Sequence, residues 1–190
     1  MTNNTAPVHY DIVMIGSSIF EFWGSPQWGR LSISNQAIRR TTTEFWLDHD
    51  LSTSPTANHI LLYCGSNDLI FGHNSEQIIL NLHALITHLS VQFPKAKMGY
   101  FSILQCPQKQ AAKQLLIIEQ INTHMRKQAG KHYHYFEFNE AIRNQAKWFA
   151  DDGLHLTPEA YEMLNKFYQP CHRKMGEGST VKQDPSAPVS

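Results

Sequence analysis

The chain has 190 residues, enough for one domain with a sizeable core. Its 16 basic and 16 acidic side chains cancel, which argues against a broad electrostatic surface for nucleic acid or an anionic membrane. No run approaches the ~18 apolar residues of a membrane span, and the N-terminal MTNNTAPVHYD has no basic stretch leading into a long apolar core, so no signal peptide is expected in this chain.

The first apolar segment, residues 9–15, reads as a buried strand and stops at Gly16-Ser17-Ser18. Residues 31–37 and 59–64 (HILLYC) read as the next two strands. From Ser75, the expected N-cap, Ile78, Ile79, Leu82, Leu85, Ile86 and Leu89 recur at three- and four-residue spacing, and Pro94 stops the helix. Residues 97–104 form the expected fourth strand, residues 108–128 a second long helix ending before Gly130, and residues 132–138 the fifth strand. Thr157-Pro158-Glu159 opens a last helix, with a cap, a proline at the first helical position and an early acid; Tyr161, Leu164 and Tyr168 form its buried face.

Strands that are apolar throughout and alternate with helices predict a three-layer α/β/α sandwich around a five-stranded parallel sheet, formed by residues 1–172. Residues 173–190 offer almost nothing to bury and are expected to be disordered. Cys64, Cys106 and Cys171 have no CxxC spacing and read as reduced thiols of a cytoplasmic protein, a removed leader aside.

Three polar clusters fall at the ends of these elements: Ser17-Ser18, then Gly65-Ser66-Asn67-Asp68, then Asp151-Asp152-Gly153-Leu154-His155. In an open parallel sheet the carboxyl ends of the strands share one edge, where the first two clusters can meet and the third can fold over. Together they hold the inventory of acyl transfer: a hydroxyl nucleophile, an imidazole base, a carboxylate to orient it and an amide to stabilise an oxyanion. An acid three residues before a histidine can fix the ring tautomer, and Gly153 frees the backbone between them. The GxSxG elbow of α/β-hydrolases is absent, since Phe20 stands where its second glycine belongs.

The three clusters resemble, in order, the motifs of the SGNH (GDSL-type) hydrolase superfamily over nearly the whole of residues 1–172. Gly16-Ser17-Ser18-Ile19 is similar to the G-D-S-[LI] block, with serine for aspartate, which implies Ser18 as nucleophile. Gly65-Ser66-Asn67-Asp68 is similar to G-x-N-D and implies Asn67 as an oxyanion donor. Asp152-Gly153-Leu154-His155 is similar to D-x-x-H and implies Asp152 as orienter and His155 as base. The second block departs from the family's N-x-G-I-x-G-x-T-T: residues 35–43 carry Ala37 and Arg40 in place of its glycines. The second glycine gives its backbone N–H to the oxyanion hole, so the resemblance assigns that role to Arg40, beside the Ser18 amide. A non-glycine residue there is strained if φ is positive.

The expectation is a cofactor-independent ester hydrolase without a metal, acting on a small-molecule acyl ester, with oligomeric state open. A catalytically impaired ligand-binding relative and an acyltransferase with the same triad are the alternatives. Competing readings of single residues are plainer. Ser18 alone could cap a helix, Asn67-Asp68 could be a polar turn, and Asp68 is expected to tie loops together. Ser17 and Asp151 are minor rivals of Ser18 and Asp152. His132 and His134 share a strand face without a third ligand, and Cys64 reads as an inert core thiol. Among Phe20, Phe22, Trp23, Trp28, Phe71, Trp148 and Phe149, most are expected in the core and one or two at an acyl pocket.

Overall fold

The structure is a computed structural model that describes residues 8–142 and 145–168. The expected disordered tail and Cys171 lie outside the described residues. Five parallel strands form one sheet in the order β2-β1-β3-β4-β5: β1 (His9–Gly16), β2 (Ile33–Asn35), β3 (Thr56–Tyr63), β4 (Lys97–Phe101) and β5 (His134–Phe136). All five strands occur where apolar runs predict them, but β2, β4 and β5 are shorter than those runs. Apolar character marks burial, and it continues into chain that has left the ladder: Ile103 and Leu104 follow β4 and are buried without pairing as strand.

Alternation along β1 assigns the two faces. Val13 and Ile15 enter one core cluster, with Ile60 and Leu62 of β3 and the apolar stripe of α3 (Ser75–Gln92). Ile12 and Met14 enter the other, with Phe20, Trp23, Phe101, Phe138 and Leu164. The first face is covered by α2 (Thr43–Asp48), α3 and α5 (Leu115–Gln128), and the second by α1 (Ser18–Trp23), α6 (Phe138–Ile142) and α7 (Pro158–Tyr168). The architecture is the expected three-layer α/β/α sandwich.

Two helix expectations need correction. The N-cap of α3 is Asn74 rather than Ser75: the side-chain Oδ1 of Asn74 accepts from the Gln77 N–H at 2.9 Å, and Ser75 is the first helical residue. Residues 108–128 are not one helix. A short α4 (Pro107–Ala111) ends at Ala112, Lys113 turns with φ 57°, and α5 starts afresh at Leu115. The break is tied by the Gln114 N–H donating to the Lys109 carbonyl at 2.9 Å. The last helix matches expectation at its start, where the Thr157 hydroxyl accepts from the Ala160 N–H. Tyr161 is only partly buried, yet its hydroxyl donates to the Ile19 carbonyl at 2.9 Å, pinning α7 to α1.

The position of the site is set at Gly16, the last residue of β1. Its φ is 150°, and a Cβ on it would lie 2.1 Å from the Tyr63 carbonyl oxygen of neighbouring β3. Only glycine permits so close an approach of two backbones. Just beyond it the Ser17 N–H donates to that same Tyr63 carbonyl at 3.1 Å, while the Gly16 carbonyl accepts from the Ile38 N–H and the Thr41 hydroxyl. Gly16→Ala is therefore expected to destabilise the fold by more than ~3 kcal/mol, beyond ordinary overpacking, because the clash is with backbone. Urea denaturation followed by far-UV circular dichroism checks this; an unchanged midpoint would contradict it.

Candidate active site

The polar clusters meet at the carboxyl edge of the sheet. Ser17, 3% exposed, is the N-cap of α1 but makes no side-chain cap bond, and Ser18 is the first helical residue. The plain explanation of Ser18 as a helix cap is thereby removed. Its hydroxyl instead lies 3.0 Å from His155 Nε2. His155 Nδ1 lies 2.5 Å from Asp152 Oδ2. An ionised carboxylate only accepts, so Nδ1 carries the hydrogen and Nε2 presents its lone pair to the serine hydroxyl.

The loop carrying Asp152 and His155 is built for this alignment. Phe149 and Leu156 form an isolated antiparallel bridge, and the Ala150 N–H donates to the His155 carbonyl at 2.8 Å. Gly153 turns with φ 66°, as its place in the motif predicts. Asp152 Oδ1 accepts from the backbone N–H groups of Leu154 and His155, each at 2.9 Å, and Oδ2 faces the imidazole. Burial pushes the Asp152 carboxyl up, but these two amides and the imidazole outweigh it and hold the pKa at about 2. Asp151 is exposed and makes no hydrogen bond among the described residues, so its rival claim has no geometric support.

The opposite wall comes from the chain after β2 and β3. Asn67 Nδ2 donates to the Thr41 carbonyl at 2.9 Å, using one of its two amide hydrogens. Asp68 is fully buried and accepts from the Thr43 N–H and, in a very short bond, from the Thr43 hydroxyl. It ties two loops together, as expected. Arg40 has φ 66°, the left-handed conformation a glycine would supply, and its side chain is exposed. Ala37 has no positive φ, so alanine is unstrained there. The Arg40 and Ser18 backbone N–H groups bond to no acceptor among the described residues.

Of the aromatic candidates, Phe20, Trp23 and Trp28 are core, and Phe71 is 69% exposed. Phe149 is buried, and Trp148 packs against the core with Lys147 over its ring. Phe22 is the one that reaches the site: its ring meets that of His155 edge-on at 5.0 Å, and the Arg39 guanidinium lies over its face at 5.2 Å. Arg39 is paired with Glu21 at 2.8 Å. Cys64 is fully buried with its thiol pushed well up by burial, in keeping with an inert role. No group of three or more His, Cys, Asp or Glu side chains is placed to hold a metal among the described residues, and no helix among them is long and apolar enough to cross a membrane.

Sequence reasoning missed three supports. The Asn35 side chain donates to the Phe20 and Gly24 carbonyls and accepts from the Ala37 N–H, locking the end of α1 to the second block. The Thr41 hydroxyl bridges Gly16 and Ile38 while accepting from Trp46 Nε1. Finally, α4 contacts both loops, through the Gln108 N–H to the Gly153 carbonyl and the Lys109 ammonium to the Ser66 carbonyl, and nothing in its own sequence signals these contacts.

With its pKa at about 2, the Asp152 carboxylate is ionised throughout any neutral or mildly acidic range. The folded value lies below the ordinary 3.8, so its contribution to stability is complete above pH 4 and is lost as pH falls towards 2. Carbon-13 NMR titration of the Asp152 carboxyl is expected to give a midpoint near 2; a midpoint near 3.8 would contradict the bonding described.

Residues 14–163 match the model of the GDSL-like Lipase/Acylhydrolase family. No curated protein matches the sequence. Among solved structures, similarity extends to a Streptococcus pneumonia protein named for platelet activating factor, at 23% identity and TM-score 0.72, covering 90% of this chain and 86% of that one. The psychrotrophic esterase EstA from Pseudoalteromonas sp., inhibited by monoethylphosphonate, is 18% identical with TM-score 0.65 over 88% of this chain and all of its own. A carbohydrate esterase family 3 protein from Talaromyces cellulolyticus is 14% identical with TM-score 0.66, covering 88% of this chain and 97% of that one. These likenesses agree with the fold, and the family match spans most of the chain: it belongs to the GDSL-like lipase/acylhydrolase family.

Proposed function

We propose that this protein is a serine ester hydrolase that cleaves small or short-acyl esters through an acyl-enzyme intermediate. The observation that carries the reading is the continuous hydrogen-bonded chain from Ser18 Oγ through His155 to Asp152. Ser18 attacks the ester carbonyl carbon as its proton passes to His155 Nε2. Asp152 holds the ring and stabilises the imidazolium that results. The tetrahedral intermediate collapses as His155 returns the proton to the departing alcohol. Water then attacks the acyl-enzyme by the same route, releasing the acid and restoring Ser18.

The developing oxyanion takes hydrogen bonds from the Ser18 and Arg40 N–H groups and from the second amide hydrogen of Asn67. All three are fixed before substrate arrives, which is what makes such donors effective. The Arg40 backbone keeps a glycine-like φ, which supports a working hydrolase over an impaired binding protein. Phe22, exposed beside His155, favours a small acyl group. The expected setting is the cytoplasm, and acyl transfer to an alcohol uses the same residues.

Hydrolysis of p-nitrophenyl acetate, butyrate and octanoate tests the reading. Ser18→Ala is expected to lower kcat by at least ~10³-fold, with acetate or butyrate the better substrates. An activated ethyl phosphonate is expected to add one phosphonyl group to Ser18, read by peptide mass spectrometry. Equal rates for wild type and Ser18→Ala with all three esters would contradict the proposal.

Arg40→Gly separates hydrolase from impaired relative. Removing a side chain from the left-handed region relieves about 1 kcal/mol, net of the entropy glycine adds to the unfolded chain. The expected result is a higher urea midpoint with kcat within about threefold of wild type. A gain of about 10²-fold or more in kcat would instead mark a misaligned oxyanion hole.

A further inference from the structure

Lys109 on α4 is an unusual residue for its place. It is 2% exposed, and its ammonium donates to the Ser66 carbonyl at 2.9 Å. Ser66 immediately precedes Asn67, so the acceptor belongs to the peptide unit that carries the Asn67 N–H. Burial lowers the Lys109 pKa, against the opposing influence of Cys106 and Asp68. Asp68 is not a direct partner: its oxygens are taken by Thr43, and no carboxylate oxygen approaches Lys109 Nζ within 4.0 Å among the described residues. A buried cation held by one backbone carbonyl among the described residues is costly, and an apolar side chain of similar volume would fill the space more cheaply.

The surroundings of α4 give that cost a purpose. The Gln108 N–H donates to the Gly153 carbonyl at 2.9 Å, gripping the loop that bears Asp152 and His155. A Cβ on Gly153 would lie 3.2 Å from Pro107 Cβ, so the loop rests directly on the start of α4. Gln114, at the break after α4, donates through Nε2 to the Leu69 carbonyl at 3.2 Å. One five-residue helix and the turn after it thus hold both walls of the site. Lys109 is the only charged side chain of α4 itself, and it is directed at the peptide beside the oxyanion donor.

We propose that Lys109 is a positioning residue: its buried ammonium fixes the Ser66–Asn67 peptide, aims the Asn67 amide at the oxyanion, and adds positive potential behind it. The inference rests on the ester-hydrolase reading. Charge placed there matters little to a neutral ester in the ground state and most when negative charge develops on the carbonyl oxygen. Its loss therefore falls on kcat and leaves KM nearly unchanged. Because burying the cation is costly, its removal is not expected to lower stability.

The test compares wild type, Ser18→Ala, Lys109→Met and Lys109→Arg with p-nitrophenyl acetate, alongside their thermal midpoints. Lys109→Met is expected to lower kcat about 10- to 100-fold, with KM within about threefold and a midpoint at or above that of wild type. Lys109→Arg keeps the charge and is expected to recover part of that loss. Wild-type kcat in folded Lys109→Met would overturn the inference while Ser18-dependent turnover left the hydrolase reading intact. Wild-type turnover no greater than that of Ser18→Ala would sink both. Should Lys109→Met fail to fold, Lys109→Gln carries the same comparison: reduced kcat at constant KM supports the proposal, and wild-type kcat overturns it.

Discussion

The site depends on the contact between Gly16 and the Tyr63 carbonyl. The ends of β1 and β3 approach so closely there that any side chain on Gly16 would occupy the space of the neighbouring backbone. The same point gathers the chain after β2, because the Gly16 carbonyl accepts from Ile38 and Thr41. Three segments remote in sequence are thereby fixed relative to one another before any reacting group is considered. Ser18 follows two residues later, at the start of a helix whose first N–H groups have no helical partner.

From this joint the site is assembled by short bridges between segments. Asn35 fastens the end of α1, Asp68 fastens the second block through Thr43, and α4 reaches from the Ser66–Asn67 peptide to the Asp152–His155 loop. These bridges hold backbone carbonyl and N–H groups in place, so each fixes a direction as well as a distance. That is the requirement of a reaction in which donors must already face a charge that exists only transiently. The left-handed Arg40 fits the same logic: the backbone geometry is retained even though the residue at that position makes it costly.

Much of this was legible in the sequence, for identifiable reasons. A buried parallel strand must be apolar on both faces, so β1, β3 and β4 stand out, and α3 announces itself by one apolar stripe. Ser18, Asn67, Asp152 and His155 could be nominated because motif order carries information that a single motif lacks. What was not legible depends on contacts between distant segments. The α4–α5 break looks helical throughout, since nothing local reveals that the chain turns at Lys113. The cap of α3 falls one residue before the one its sequence suggests, because Asn74 and Ser75 are both good caps. Phe22 could not be told from Phe20 and Trp23 until the rotation of α1 put it beside His155. The short α2 and α6 carry too few residues for periodicity to register.

The central claim is that three donors from three separate segments converge on one oxygen. It is tested most directly by a crystal structure of the protein with Ser18 phosphonylated, where the phosphoryl oxygen stands in for the oxyanion of the tetrahedral intermediate. The account predicts that oxygen at roughly 2.7–3.1 Å from the Ser18 N, the Arg40 N and Asn67 Nδ2. A phosphoryl oxygen turned away from the Arg40 amide, or bonded to none of the three, would contradict it.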